Sequence, residues 1–258
     1  MRKESMVNGR RRNGAARVFL LAILGSVTIS GVAAQTAEEI IRRMEENQVH
    51  ETAYIEGRMV VDDRFGERSS TFISWSRGEE EMLVEFTSAA ERGQKVLRTD
   101  DSIYLYYPDA ARVIRMQGSA LRESMLGSDI SYEDMTGNRG LLEDYRVERK
   151  SDAQVEGHPC YVVELNATSR DVAYPKQIIW VDKELFVMRK AEQYALSGRL
   201  LKTAKVQELM EVKGKIFPSV MRIEDQLKRN SKTRFVIEEA DIGVELPRDI
   251  FSLEQLRF

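Results

Sequence analysis

From Glu51 onward the chain alternates apolar and polar positions with period two, as half-buried β-strands do. Ile55, Gly57, Met59 and Val61 share one parity, and Glu56, Arg58 and Val60 the other. Asp62-Asp63-Arg64-Phe65-Gly66 reads as a turn. The pattern predicts further strands over 71–77, 81–86, 94–98, 102–107 and 112–116, joined by short hairpin connections. It resumes over 145–150, 159–166, 176–182, 185–192, 201–211, 215–225 and 233–242, with turns at Glu156-Gly157, Asp182-Lys183, Ser197-Gly198 and Lys213-Gly214. No βαβ alternation is present, so the expectation is a mainly β, antiparallel fold with short helices.

Two segments depart from that pattern. Thr36-Ala37-Glu38-Glu39 is a capping box, and Ile40, Ile41 and Met44 behind it form the apolar stripe of a helix ending near Asn47. The stripe fits plain packing, and it equally fits a cover over a sheet opening. The second segment, 117–142, carries Gly118, Gly127, Gly137 and Gly140 among Leu121, Met125, Ile130, Tyr132 and Met135. One or two short helices are expected in this insertion, and ordered connections of such length usually serve function. Residues 247–251 predict a final helical or 3₁₀ turn.

The first 34 residues have a different composition. Arg2, Lys3, Arg10, Arg11, Arg12 and Arg17 precede an apolar run over 18–29, and then Ser30-Gly31-Val32-Ala33-Ala34-Gln35 offers small residues for cleavage after Ala34. The run is shorter than the ~20 residues of a spanning helix, which favours a cleaved signal peptide over a retained anchor. The expected layout is a signal peptide at 1–34 and one mature domain at 35–258, placed in the periplasm. Cys160 is the only cysteine, far from the cleavage site, so neither N-terminal acylation nor an internal disulfide is expected. Removing six basic and one acidic residue from 39 and 42 leaves 33 and 41, a net charge of −8. Such an acidic chain is a poor match for nucleic acid or for electrostatic docking on anionic lipid.

The usual signatures of catalysis are missing from the sequence. His50 and His158 stand apart, with no metal-type spacing, nucleophile elbow or phosphate-binding glycine motif. Asp62-Asp63, Asp100-Asp101 and Glu79-Glu80-Glu81 fall in turns or at strand edges, where carboxyls are normally solvated. Cys160 sits in an apolar strand as a structural thiol would. Neither an enzyme nor a cofactor is expected. The strands are instead rich in Met59, Met82, Met116, Met188, Met210 and Met221, with Phe72, Trp75, Phe86, Trp180, Phe217 and Phe235. Such residues line adaptable apolar sites and also fill solid barrel cores; a sheet of about a dozen strands is large for side chains alone to fill. Parity assigns Ile55, Met59, Ile73, Trp75, Met82, Val84 and Phe86 to an inward face.

Several stretches carry a resemblance. They are Lys95-Val96-Leu97-Arg98, Ile103-Tyr104-Leu105-Tyr106-Tyr107-Pro108, Arg112-Val113-Ile114-Arg115-Met116 and Gly127-Ser128-Asp129-Ile130-Ser131-Tyr132-Glu133-Asp134, followed by Tyr161-Val162-Val163-Glu164-Leu165, Ile178-Ile179-Trp180-Val181-Asp182 and Phe217-Pro218. Together they resemble the outer-membrane lipoprotein-sorting protein family, the LolA-like carriers, over roughly residues 37–258. The resemblance implies a half-open antiparallel β-barrel closed by helices around an apolar cavity. It also implies a carrier for lipid or lipoprotein acyl chains, working as a monomer between an inner-membrane exporter and an outer-membrane acceptor. A periplasmic sensory or regulatory module that controls a partner is the other function related barrels perform. The resemblance makes Leu121, Met125, Ser128, Asp129 and Tyr132 candidates for a lid or docking element, with Ser128 or Asp129 alternatively serving only as a helix N-cap. The lid-fastening arginine of such carriers has no residue-by-residue match in this sequence; the resemblance offers Arg58 as a candidate counterpart by its place in an early strand alone.

Overall fold

A computed structural model describes residues 35–99, 102–136, 140–170 and 172–257. The predicted signal peptide and the Asp100-Asp101 pair lie outside the described residues. Helix α1 (Ala37–Gln48) opens as its sequence requires: Thr36 Oγ1 accepts from the Glu39 N–H at 3.2 Å, and Ile40, Ile41 and Met44 are buried. The strands are β1 (Ala53–Asp63), β2 (Gly66–Arg77), β3 (Glu81–Phe86), β4 (Lys95–Thr99), β5 (Ser102–Tyr107) and β6 (Arg112–Met116). After the insertion come β7 (Tyr145–Val155), β8 (His158–Ala167), β9 (Lys176–Asp182), β10 (Met188–Tyr194), β11 (Leu200–Val212), β12 (Lys215–Asp225) and β13 (Lys232–Ile242). The insertion holds 3₁₀ turns and the short helices α2 (Tyr132–Thr136) and α3 (Leu141–Asp144).

All thirteen strands form one antiparallel sheet in the order β6-β5-β4-β3-β2-β1-β13-β12-β11-β10-β9-β8-β7. Two meanders thus meet where the first strand pairs with the last, and the sheet stays open between β6 and β7. Tight hairpins maintain the sequence: Glu156-Gly157 and Lys213-Gly214 both adopt positive φ at both turn positions, the type I′ geometry whose twist matches the flanking strands. Helix α1 and the insertion lie on the concave face. Ile40, Ile41 and Met44 pack on β7–β10 through Val163, Leu165 and Val181. Met125, Ile130 and Tyr132 pack on the other half through Val84, Phe86 and Val96. The convex face of β3–β5 is covered too: Phe251 and Leu256 from the C-terminal segment bury Leu83 and Leu97. Among the described residues, no helix is long and apolar enough to cross a membrane.

One glycine shapes the floor of the concave face. β1 bulges between Glu56 and Gly57, and a Cβ at Gly57 would lie 2.4 Å from the Val236 carbonyl oxygen and 2.8 Å from the Phe72 ring. The missing side chain lets Phe72 lie across β1 and stack on Phe235, ring centroids 5.3 Å apart. Gly57→Ala is expected to cost about 2 kcal/mol, because backbone must move to relieve the contact. A denaturant midpoint unchanged from wild type would show that the bulge tolerates a side chain.

Candidate functional site

Between the concave face and its helical cover lies a cavity in two lobes of about 410 and 430 Å³. These volumes are within the ~300–1,000 Å³ usual for ligand sites. The lobes are neighbours that share Ile55, Met82, Met135, Leu141, Met188 and Met221 in their linings. Met44 adds a fifth methionine, from α1. Unbranched thioether side chains repack around irregular apolar shapes at little cost.

The sheet carries small residues in the floor of the first lobe. Ala191 of β10 pairs with Ala204 of β11, and both line the first lobe with Ile179 and Ile223 on either side. Two residues along the strands, about 6.8 Å away, runs a polar row: Gln177, Gln193 and Lys202 pair in turn across β9, β10 and β11. All three face the cavity. Glu133 and Asp134 from α2 close over this row. Lys202 Nζ donates to Asp134 Oδ2, and the Tyr174 hydroxyl donates to Asp134 Oδ1 at 2.8 Å.

The insertion is held down at a second point. Asp129 is 1 % exposed; its Oδ2 accepts from Thr233 Oγ1 at 2.8 Å and Ser231 Oγ at 2.9 Å. Its own N–H donates to Thr233 Oγ1 at 2.8 Å. Lys228 Nζ donates to the carbonyls of Gly127 and Ser128, and Arg68 also reaches Gly127 O, at 3.2 Å. Burial pushes the Lys228 ammonium below its ordinary pKa. At the other lobe, Glu45 of α1 accepts from the Leu141 N–H at 2.6 Å, tying α1 to α3.

Glu133 responds to its burial. Desolvation, and then the charge of Asp134, raise its carboxyl above the ordinary 4.5, against the Ala173 N–H and nearby arginines. A raised folded-state pKa means that the folded chain binds this proton more tightly than the unfolded chain. The stabilising contribution is therefore complete below 4.5 and is lost as pH rises through the folded value. Glu133→Gln is expected to be more stable than wild type at neutral pH, the difference vanishing in acid. Parallel stability–pH curves for the two proteins would contradict this.

The sequence-predicted residues divide by position. Ile55 and Met82 line the cavity. Met59, Val84 and Phe86 belong to the buried cluster of the concave face. Ile73 and Trp75 do not: the inward positions of β2 are Phe72 and Ser74, and Trp75 packs on the convex side with Leu83 and Leu97. At Trp75 that correction has a physical cause, since the C-terminal cluster covers the convex side of β2 there and an apolar residue no longer marks one face. Arg58 is also corrected. It stands on β1 paired with Glu238, with both side chains about four-tenths exposed, and fastens no lid. Lys202, Lys228 and Arg68 do that instead.

Met125 is fully buried, Tyr132 is buried beside it, and Leu121 packs on the same cluster. Ser128 and Asp129 are fully buried, and neither is the helix cap. The cap is Ser131, whose Oγ accepts from the Asp134 N–H at 3.1 Å while Asp134 Oδ2 accepts from the Ser131 N–H at 2.9 Å. Sequence reasoning passed over Gln177, Gln193 and Lys202. Their signal was a polar residue at the parity of Ile179, Ala191 and Ala204. Cys160 is buried, with its thiol pKa raised by burial, and His50 packs on Phe217. Among the described residues, no cluster of His, Cys, Asp and Glu has the makings of a metal site.

Comparison with known proteins fits this geometry. A family profile described as "Uncharacterized protein", of the "-like" kind, matches residues 78–258, well over half of the chain. The chain belongs to that family. No curated protein matches it. Solved structures do, each covering 86 % of this chain and 100 % of its own. A DUF1329 family protein from Desulfovibrio piger shares 23 % identity at a TM-score of 0.80. A domain provisionally described as an outer membrane lipoprotein-sorting protein, from Vibrio parahaemolyticus, shares 21 % at 0.77. A LolA superfamily protein from Nitrosomonas europaea shares 25 % at 0.73. The half-open barrel is thus the LolA-like fold, and the resemblance carried by the sequence holds.

Proposed function

We propose that residues 35–258, after removal of a signal peptide at 1–34, form a periplasmic carrier. It binds lipid or the acyl chains of lipoproteins and moves them towards the outer membrane. The observation that carries this reading is the methionine-lined cavity between the concave sheet and a fastened helical cover. Each methylene taken out of water contributes ~0.8 kcal/mol, so an acyl chain gains strongly from such a space. The cover packs on the sheet through Ile40, Ile41, Met44, Met125 and Ile130 and is fastened at its edges by a few polar contacts whose release would let it open for loading. The reading assigns the chain no catalytic step and no cofactor, and makes it a monomer exchanging cargo with an inner-membrane exporter and an outer-membrane acceptor.

The second reading, a sensory module controlling an envelope partner, uses the same cavity differently. A transfer assay between two vesicle populations separates them. A carrier speeds exchange of labelled acyl lipid or acylated peptide in proportion to its concentration. A protein that binds the label but does not speed exchange would contradict the carrier and favour the sensor.

A further inference from the structure

Among the described residues, five large apolar side chains are exposed: Phe65, Ile114, Leu196, Leu227 and Leu253. Three of them stand together. Phe65 is 80 % exposed at the tip between β1 and β2, Leu196 is 90 % exposed between β10 and β11, and Leu227 is 54 % exposed between β12 and β13. The register puts all three tips at one end of the sheet, since Asp62 pairs with Lys232 and Asp225 with Lys202. The six strands are consecutive, in the order β2-β1-β13-β12-β11-β10. Neighbouring strands lie ~4.8 Å apart, so the tips follow one another at about 10 Å along this rim. The turns do not require these side chains, because Gly66, Gly198 and Asn230 take the positive φ in them.

The charge at the tips has one sign. Residues 64–66, 195–199 and 226–231 contain Arg64, Arg199, Lys228 and Arg229 and no carboxylate, in a chain that is acidic as a whole. Arg64, Arg199 and Arg229 are exposed, and the Arg64 guanidinium stands 4.5 Å over the Phe65 ring. The acids beside the tips are engaged: Asp62 with Lys232 at 2.8 Å, Asp63 with Arg68 at 2.6 Å, Glu67 with Arg234 at 3.8 Å, and Asp225 with the Leu227 N–H at 2.8 Å. Asp63 also accepts from the Phe65 N–H at 2.8 Å, so Phe65 and Leu227 are each anchored through their own backbone.

We propose that this rim docks on an anionic lipid bilayer: Phe65, Leu196 and Leu227 enter the interfacial layer, and Arg64, Arg199 and Arg229 meet the lipid phosphates. Single apolar side chains spaced along a row, with arginines beside them, suit a fluid interface that offers no shaped pockets. A folded protein partner would have to supply a pocket for each. This goes beyond the carrier reading and holds whatever the cavity binds. It also orients the molecule. Gln193 and Lys202 of the first lobe lie next to the β10–β11 tip, and Lys228 and Arg68 fasten the cover at this rim. Docking therefore brings the first lobe and the fastening of the cover to the membrane.

The test is co-sedimentation of the protein, expressed from the full sequence, with vesicles of phosphatidylcholine alone or mixed with phosphatidylglycerol. Binding to the mixed vesicles is expected, weaker at high salt. Phe65→Ser and Leu196→Ser should each weaken it about tenfold, the worth of roughly two methylenes. Arg229→Gln should weaken it about fivefold, an effect that high salt erases. All three side chains are exposed, so unfolding should stay as in wild type. A polarity-sensitive dye on Leu196→Cys should shift to the blue on the mixed vesicles. The same dye on Glu211→Cys, exposed at the other end of β11, should not. Cys160 is buried and does not compete for the label. Vesicle binding with a silent dye at position 196, or binding unchanged in the Phe65→Ser/Leu196→Ser double variant, would overturn the inference. So would a protein that ignores both kinds of vesicle; if it is then a dimer that the double variant dissociates, the rim is a contact between copies of the chain. None of these outcomes decides whether acyl ligands enter the cavity.

Discussion

Ala204→Phe will lower affinity for acyl ligands by tenfold or more while leaving folding stability unchanged or raised. Ala204 and its cross-strand partner Ala191 form the floor of the first lobe. A phenyl ring there occupies volume the ligand needs. Each displaced methylene removes ~0.8 kcal/mol, so losing two already weakens binding about tenfold. Stability moves the other way, because the ring fills empty space and phenylalanine suits a strand. A solidly packed barrel gives the opposite sign, since an extra ring in a full core costs ~1–3 kcal/mol. Denaturant unfolding and probe titration of the same variant therefore test the cavity twice. Normal binding, or marked destabilisation, would show that the space is not there.

The cover should come loose when its polar fastening is cut. Asp129→Ala leaves the hydroxyls of Thr233 and Ser231 and the Asp225 N–H without their acceptor, and Thr233 is fully buried. Each stranded buried donor costs ~1–3 kcal/mol, so a loss of about 3 kcal/mol is expected. Amide exchange should accelerate in α2 and the turns before it, with β7–β10 protected as in wild type. Asp129→Asn keeps an acceptor oxygen and should recover part of the loss. An Asp129→Ala protein with wild-type exchange throughout the insertion would mean that the apolar contacts of Met125 and Ile130 hold the cover without help.

How much of this was written in the sequence depends on how many faces each element buries. Strand alternation was legible wherever one face is wet, and the capping box at Thr36 announced α1 from four residues. β2 misled at Trp75 because the C-terminal segment lays Phe251 and Leu256 over the convex side of the sheet, so Trp75 has as much reason to be apolar as Phe72. No local pattern foretells that distant cover. The block at 127–134 was visible as special, yet its roles were exchanged. Only the placement of β12 and β13 makes Asp129 a fastener, whereas Ser131 caps α2 through its own local pair with Asp134. The polar row is the subtlest case. Gln177, Gln193 and Lys202 lie on three strands, and only their pairing brings them side by side. Arg58 shows the limit of position as a guide: a cation in an early strand reaches whatever its face allows, here Glu238.

The most direct test of the proposed carrier is native mass spectrometry of the protein expressed from the full sequence, with the proposed leader at 1–34, and purified without detergent, followed by lipid extraction. The account predicts adducts of the mass of a phospholipid or an acylated peptide, released on mild activation and lost in Ala204→Phe. A single apo mass with nothing extractable, from protein that also refuses a fluorescent acyl probe, would contradict it.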